Sequence, residues 1–314
     1  MKKIAILGAG TMGKGIAISF SVGGYEVNLY DSFESARANA IPSIKEDLSL
    51  MVEMKVFSQE KAEEALKLIK IYDDKAAAVK DVDFLIEVVP EVLSLKQDLF
   101  GELDKLCKPE CIFASNTSSL KLGEMMEKLS PERKKRTMIC HFYNPAHLLP
   151  IVELSFYGNM PEEVFDEVFQ MFYEIGKQPV KVKKDVPGLV ANRIQNAMAR
   201  EIYSMIENGV ADPEEIDKAI KFGPCFRYAT TGQMEITDMG GIDIWTTVAD
   251  ILWQDLEDRK DAPKILRDKV EAGEYGVKTG KGFFDYNTPE KKEQVVKEFH
   301  KRLMIQLVAC ENYK

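Results

Sequence analysis

The feature that most constrains this chain is a short apolar run, residues 3–7, ending on Gly8-Ala9-Gly10-Thr11-Met12-Gly13. An apolar strand followed by that spacing of glycines predicts a strand, a tight turn and the start of a helix. Gly8 permits the turn, Gly10 lets backbone come close to a pyrophosphate, and Gly13 lets the helix pack on the strand. Thr11 and Met12 open the helix, whose unpaired N–H groups and positive dipole end then face an anion. Asp31 ends the second apolar run. A carboxylate there accepts hydrogen bonds from ribose hydroxyls and repels a 2′-phosphate, so the expected cofactor is NAD rather than NADP. An N-cap for the following helix is the plainer role for Asp31, and the two are compatible.

Further apolar runs at 27–30, 84–89, 112–114, 137–140, 152–154 and 180–182 read as buried strands, separated by stretches long enough for crossover helices. This alternation predicts an α/β, Rossmann-type, doubly wound and mostly parallel sheet over residues 1–185. The stretch 34–70 exceeds one crossover and reads as two helices, the second opened at Ser58. A Pro187-Gly188 pair ends the pattern, and no strand is expected after it. Residues 186–286 read as a smaller all-α domain beginning with a long helix over 189–209, and 287–314 as a helical extension begun by Thr288-Pro289. In that extension Val296, Phe299, Leu303, Leu307 and Cys310 form an apolar stripe that must pack on something.

Composition removes other classes. With Lys+Arg 42 against Asp+Glu 51 the net charge is -9, which leaves no basic footprint for nucleic acid or an anionic membrane. No run of about 18 apolar residues is present to span a bilayer. The opening MKKIAIL resembles a secretory leader but dissolves at once into glycines, so a cytoplasmic protein is expected. The five cysteines form no CxxC pair, and with three histidines a zinc site lacks ligands; buried, reduced thiols and no metal are expected.

Two polar segments follow predicted strands, where ligands sit in such sheets. One is Ser115-Asn116-Thr117-Ser118-Ser119, whose plainer reading is a helix N-cap. The other is His141-Phe142-Tyr143-Asn144-Pro145, with Glu153 beyond a Pro-bounded excursion. A His with a carboxylate behind it can take a hydroxyl proton while hydride leaves the same carbon, although a structural histidine fits the residues taken alone.

Taken in order, GAGTMG, Asp31, SNTSS, HFYNP…VEL, PGLVANR and GVKTGKGFFDY resemble the 3-hydroxyacyl-CoA dehydrogenase family over residues 1–286. The resemblance implies an NAD-binding sheet domain, a helical domain that pairs two subunits into a homodimer, and interconversion of an L-3-hydroxyacyl group with its 3-keto form. It makes His141 the base, Glu153 its partner, and Ser118 and Asn192 the pair holding the reacting oxygen and substrate. It also sets Glu91, Lys96 and Asn144 near the nicotinamide end of the cofactor. Such an enzyme would act on short chains, as on 3-hydroxybutyryl-CoA.

Two departures point elsewhere. Where CoA-using members carry several lysines in the first insert helix, this chain reads Asp47-Leu-Ser-Leu-Met-Val-Glu-Met-Lys55, apolar and acidic, and the usual Lys shortly before the catalytic Glu is missing, with Pro150 in the area. These features, with Asn192-Arg-Ile-Gln195 and Arg227-Tyr228, are closer to the branch using free hydroxy acids, which includes L-gulonate 3-dehydrogenase, lambda-crystallin and carnitine dehydrogenase. There Arg227 would hold a substrate carboxylate, with a surface salt bridge as its plainer role. A third expectation, an NAD-binding protein without turnover, requires no base and is disfavoured by Ser118, His141, Glu153 and Asn192 occurring together.

Overall fold

In the computed structural model, which describes residues 1–312, the chain divides into two compact units. The first comprises residues 1–190 together with 303–308, and the second comprises 191–302 and the residues from 309 onward.

The first unit is built on eight strands: β1 (Lys3–Leu7), β2 (Glu26–Tyr30), β3 (Ile69–Tyr72), β4 (Phe84–Glu87), β5 (Ile112–Ser115), β6 (Thr137–Phe142), β7 (Ile151–Ser155) and β8 (Gln178–Val182). They lie in the order β3-β2-β1-β4-β5-β6-β7-β8, parallel throughout except where β7 runs against β6. Successive residues of a strand point to opposite faces, and here both faces are covered. Ile4, Ile6, Val27, Leu29, Phe84 and Ile86 join one apolar cluster with Ile16 and Phe20, Ile44 and Leu48, and Phe165 and Phe172 from three helices. Ala5, Leu7, Leu85 and Phe113 join a second cluster with Phe100 and Leu103. The strand order turns back on itself between β1 and β4, and a crevice beyond the carboxyl ends at such a point is where ligands bind.

The 34–70 insert forms helices Glu34–Glu53 and Gln59–Lys67, the latter capped by the Ser58 side chain accepting from Lys61 N. The insert ends sooner than the sequence implied, because residues 69–72 are a strand, pairing Val27 with Ile69 and Tyr30 with Tyr72. Ile69-Lys70-Ile71-Tyr72 is an edge strand with Lys70 exposed, and it follows the Gln59–Lys67 helix after a single residue. So short a run contributes too little alternation to stand out from a helix end.

The second unit is helical, with Ala191–Glu207, Pro213–Phe222, Pro224–Tyr228, Gln233–Gly240, Ile242–Leu252 and Lys264–Glu271, and with most of Pro289–Cys310. Thr288 caps that last helix, accepting from Lys291 N. Its apolar stripe divides: Val296 and Phe299 remain exposed, while Leu303 and the fully buried Met304 pack in the core of the first unit. Cys107, Cys111 and Cys140 are buried, as the bland reading of the cysteines held, but Cys225 and Cys310 are only half-buried. Among the described residues no helix is long and apolar enough to cross a membrane.

Candidate active site

At the end of β1 the backbone turns at Gly8, whose φ of +120° is costly for any side chain, and Gly8 N donates to Tyr30 O at 2.8 Å. A Cβ on Gly13 would stand 1.8 Å from Gly8 O, so helix and turn touch. A Cβ on Gly10 would meet nothing within 4 Å, which leaves open space over the loop. Gly10 is the N-cap of helix Thr11–Val22, with no side-chain cap and no acidic residue in the first turn. The loop therefore presents room, unpaired N–H groups and a positive helix end together, which fits a dinucleotide pyrophosphate. Asp31 braces it, Oδ2 accepting from Ala9 N at 2.7 Å and Oδ1 from Phe33 N at 2.8 Å. The N-cap of the next helix falls on Phe33, so Asp31 closes a turn onto it rather than capping it directly.

Beyond β4 and β5 lies a charged network. Glu87, the last residue of β4, is fully buried and holds the Lys96 ammonium with both oxygens, at 2.7 and 2.8 Å. It also accepts from the Ser115 hydroxyl at the end of β5. Lys96, 1 % exposed, reaches Glu91 at 3.3 Å. Glu91 in turn accepts from the Thr117 hydroxyl, from Ser119 Oγ at 2.8 Å and from Ser119 N at 3.3 Å. Burial pushes the Glu91 carboxyl up, but the Thr117 and Ser119 hydrogen bonds and the Lys96 charge outweigh it and leave it below the usual carboxylate range. Ser118 is thus held between two residues tied to one carboxylate. Lys96 is enclosed by its carboxylates, whereas Asn144, two residues after β6, is exposed.

His141 and Glu153 face each other across the antiparallel β6–β7 pair, in direct register. Cross-strand partners on one face come close together, and here His141 Nδ1 lies 2.9 Å from Glu153 Oε2. His141 is 6 % exposed and Glu153 is fully buried. Glu153 Oε1 accepts from Val190 N at 2.8 Å. Asn116 Oδ1 accepts from Phe142 N at 2.8 Å and so joins the end of β6 to the loop that carries Ser118. Beside the pair, the Tyr143 ring stands edge-on to His141, and burial, with the Glu153 charge behind it, pushes its phenol up to about 12.

Asn192 and Arg227 belong to the second unit. Asn192 lies in the first turn of helix Ala191–Glu207, its carbonyl accepting from Asn196 Nδ2. Arg227 is exposed on helix Pro224–Tyr228, with no ion pair to it among the described residues. Reading residue types missed Glu87 and the Val190 amide, and it gave Thr117 and Ser119 no role of their own within the polar segment it singled out. A carboxylate ending the apolar run Phe84-Leu-Ile-Glu87 was the available signal for the first.

Residues 3–186 match the 3-hydroxyacyl-CoA dehydrogenase NAD-binding domain, and residues 188–286 match that family's C-terminal domain. The chain is 34% identical over 307 residues to 5-formyl-3-hydroxy-2-methylpyridine 4-carboxylate 5-dehydrogenase of Mesorhizobium japonicum, covering 97% of this chain and 96% of that one. It is also 34% identical to 3-hydroxybutyryl-CoA dehydrogenase of Clostridioides difficile, over 91% of this chain and 99% of the other. A crystal structure of the pyridine carboxylate dehydrogenase, described as an NAD+ dependent dismutase, superposes with a TM-score of 0.91 at 31% identity over all of both chains. That of (S)-3-hydroxybutyryl-CoA dehydrogenase from Ralstonia eutropha gives 0.73 at 31% identity, covering 92% of this chain and all of the other. A dinucleotide loop on β1, a buried His–Glu pair on β6 and β7, and matched models over nearly the whole length lead to one conclusion: this chain belongs to the NAD-dependent 3-hydroxyacyl-CoA dehydrogenase family.

Proposed function

We propose that the protein interconverts a short-chain L-3-hydroxyacyl-CoA and its 3-ketoacyl-CoA, with His141 as the base. The reading rests on the His141–Glu153 pair, 2.9 Å apart and buried across β6 and β7. With Glu153 ionised, the imidazole carries its proton on Nδ1, which leaves Nε2 to accept the substrate hydroxyl proton. Glu153 then stabilises the imidazolium. Bound NAD supplies the hydride acceptor, so one hydroxyl proton and one carbon-bound hydride leave the substrate together. Ser118 and Asn192 are assigned to the reacting oxygen, and Asn144 and Glu91 to the nicotinamide end, with Lys96 acting through Glu91.

A second reading, the same chemistry on a free carboxylic acid, is favoured by the charge on helix Glu34–Glu53. It carries Glu34, Glu46, Asp47 and Glu53 against Arg37 and Lys45, which opposes a polyanionic coenzyme. The whole-length relative acts, by its name, on a pyridine carboxylate. In this reading Arg227 binds the substrate carboxylate. NADH oxidation with acetoacetyl-CoA beside free acetoacetate, 3-dehydrocarnitine and 5-formyl-3-hydroxy-2-methylpyridine 4-carboxylate decides between the two. Turnover of the thioester alone establishes the first, and turnover of a free acid alone establishes the second.

The helical unit is proposed to form a homodimer. Helix Ile242–Leu252 has no buried residue and exposes Ile242, Ile244 and Ile251, followed by Trp253 at 74 %. So large an uncovered apolar surface is the mark of an association face. Light scattering of the purified chain should give twice its mass, and Ile251→Asp should lower it to one.

A further inference from the structure

The segment 185–190 is tied down at three points, two of them in the site. The Asp185 carboxylate accepts from Leu122 N at 2.9 Å, Gly188 N donates to Ser118 O at 3.1 Å, and Val190 N donates to Glu153 Oε1 at 2.8 Å. Between the second and third contacts the backbone takes two consecutive left-handed residues, Gly188 at φ +78° and Leu189 at φ +49°. Glycine adopts that region without penalty, whereas leucine does so only under constraint. Among the described residues, Lys55 is the other non-glycine with a positive φ. The constraint on Leu189 is its side chain, 3 % exposed and packed in the same apolar cluster as Phe113, Leu122 and Val182. Strain that persists because surrounding packing over-determines it collects at functional sites.

We propose that Leu189 is a positioning residue for the base: its core-anchored, left-handed backbone aims the Val190 N–H at Glu153 and so holds the other carboxylate oxygen on His141. This rests on His141 being the base. The amide fixes Oε1, leaving Oε2 to face Nδ1. A carboxylate held there orients the imidazole and stabilises the imidazolium that forms as the hydroxyl proton is taken. If the strap loosens, that orientation is lost and proton transfer slows.

The test compares substitutions of similar size at one position. Leu189→Ile keeps the apolar volume but is β-branched, which the left-handed region excludes most strongly. For hydroxyl oxidation its kcat should fall about tenfold. KM and NADH affinity should each stay within about twofold of the parent, so that the loss falls on the chemical step. Leu189→Met, unbranched and similar in volume, should retain the parent kcat. If Leu189→Ile fails to fold, Leu189→Ala reads the same quantity, because it removes the anchor while sparing the backbone. A parent kcat in the folded Ile or Ala variant, or a kcat lowered equally by Met, overturns the proposal and leaves Leu189 a packing residue. Failure of the underlying base assignment shows separately, as turnover retained by His141→Gln.

Discussion

The two units spend their apolar residues differently. In the first, strand residues on both faces of the sheet are fully buried, and Phe20 alone packs against the rings of Tyr25, Phe84, Phe142 and Phe172. In the second, Ser204, Ile216 and Ile236 are buried, while Phe222, Phe226, Met234, Met239, Ile251 and Trp253 are each more than half exposed. A double-faced sheet completes its core within one chain, whereas amphipathic helices without a sheet leave apolar faces over. The site candidates follow the same division. Glu87, His141 and Glu153 lie on strands held by that core, Glu91 and Ser118 in the loops just beyond them, and each is fixed by identifiable partners.

Core truncation should break this contrast most visibly. Phe20→Ala should cost about 3–5 kcal/mol, read as loss of thermal and denaturant stability. Ile251→Ala should change the stability of dilute protein by only about 0.5 kcal/mol and instead weaken self-association. Equal losses in the two variants would erase the distinction between the units. Next in size is the buried charge pair. Glu87→Gln leaves the enclosed Lys96 ammonium short of its main counter-charge, and a cost of about 3 kcal/mol is expected. The same measurement on Lys128→Gln, an exposed partner of Asp98, should show less than about 1 kcal/mol.

The glycine loop sharpens the contrast within the first unit. Gly10→Ala has room in the protein and should leave thermal stability intact while weakening NADH binding about tenfold, by filling the space over the loop. Gly13→Ala drives a methyl into Gly8 O and should lower stability as well as binding. Calorimetric titration with NADH beside a melting curve separates the two.

The smallest effect is at Asp83, at the amino end of the sheet. Burial pushes its carboxyl up, but hydrogen bonds from Lys108, Lys2 N and Lys3 N outweigh that and bring it down to about 2. A depressed carboxylate stabilises above its unfolded value of roughly 4 and loses that contribution as pH falls toward about 2. The stability gap between the parent and Asp83→Asn should therefore be constant above about pH 4 and close by about pH 2. A gap that persists at the acid end would contradict this.

Much of this was visible in the residues themselves. Strands such as Ile4–Leu7 and Phe84–Glu87 stand out because parallel strands buried on both faces are continuously apolar. The edge strand Ile69–Tyr72 does not, because one polar residue among four and an adjoining helix mask its period. The spacing of His141 and Glu153 had a physical meaning that emerged only with the β6–β7 register, which places the two side by side. The glycine loop was legible because its chemistry needs the absence of side chains at fixed positions. Backbone donors are another matter: Val190 N–H on Glu153 leaves no trace in residue type, and Glu87 looked like the polar end of a strand until its burial against Lys96 was seen. The division of the last helix, with Met304 in the first unit's core and Phe299 exposed, was likewise invisible in an evenly spaced apolar stripe.

The account stands most directly on His141. NADH affinity and steady-state turnover of His141→Ala should be measured with whichever thioester or free keto acid the parent reduces. The expected result is NADH binding within about twofold of the parent and turnover lower by at least about a hundredfold. Turnover that survives the substitution, or NADH binding lost along with it, would contradict the assignment of His141 as the base.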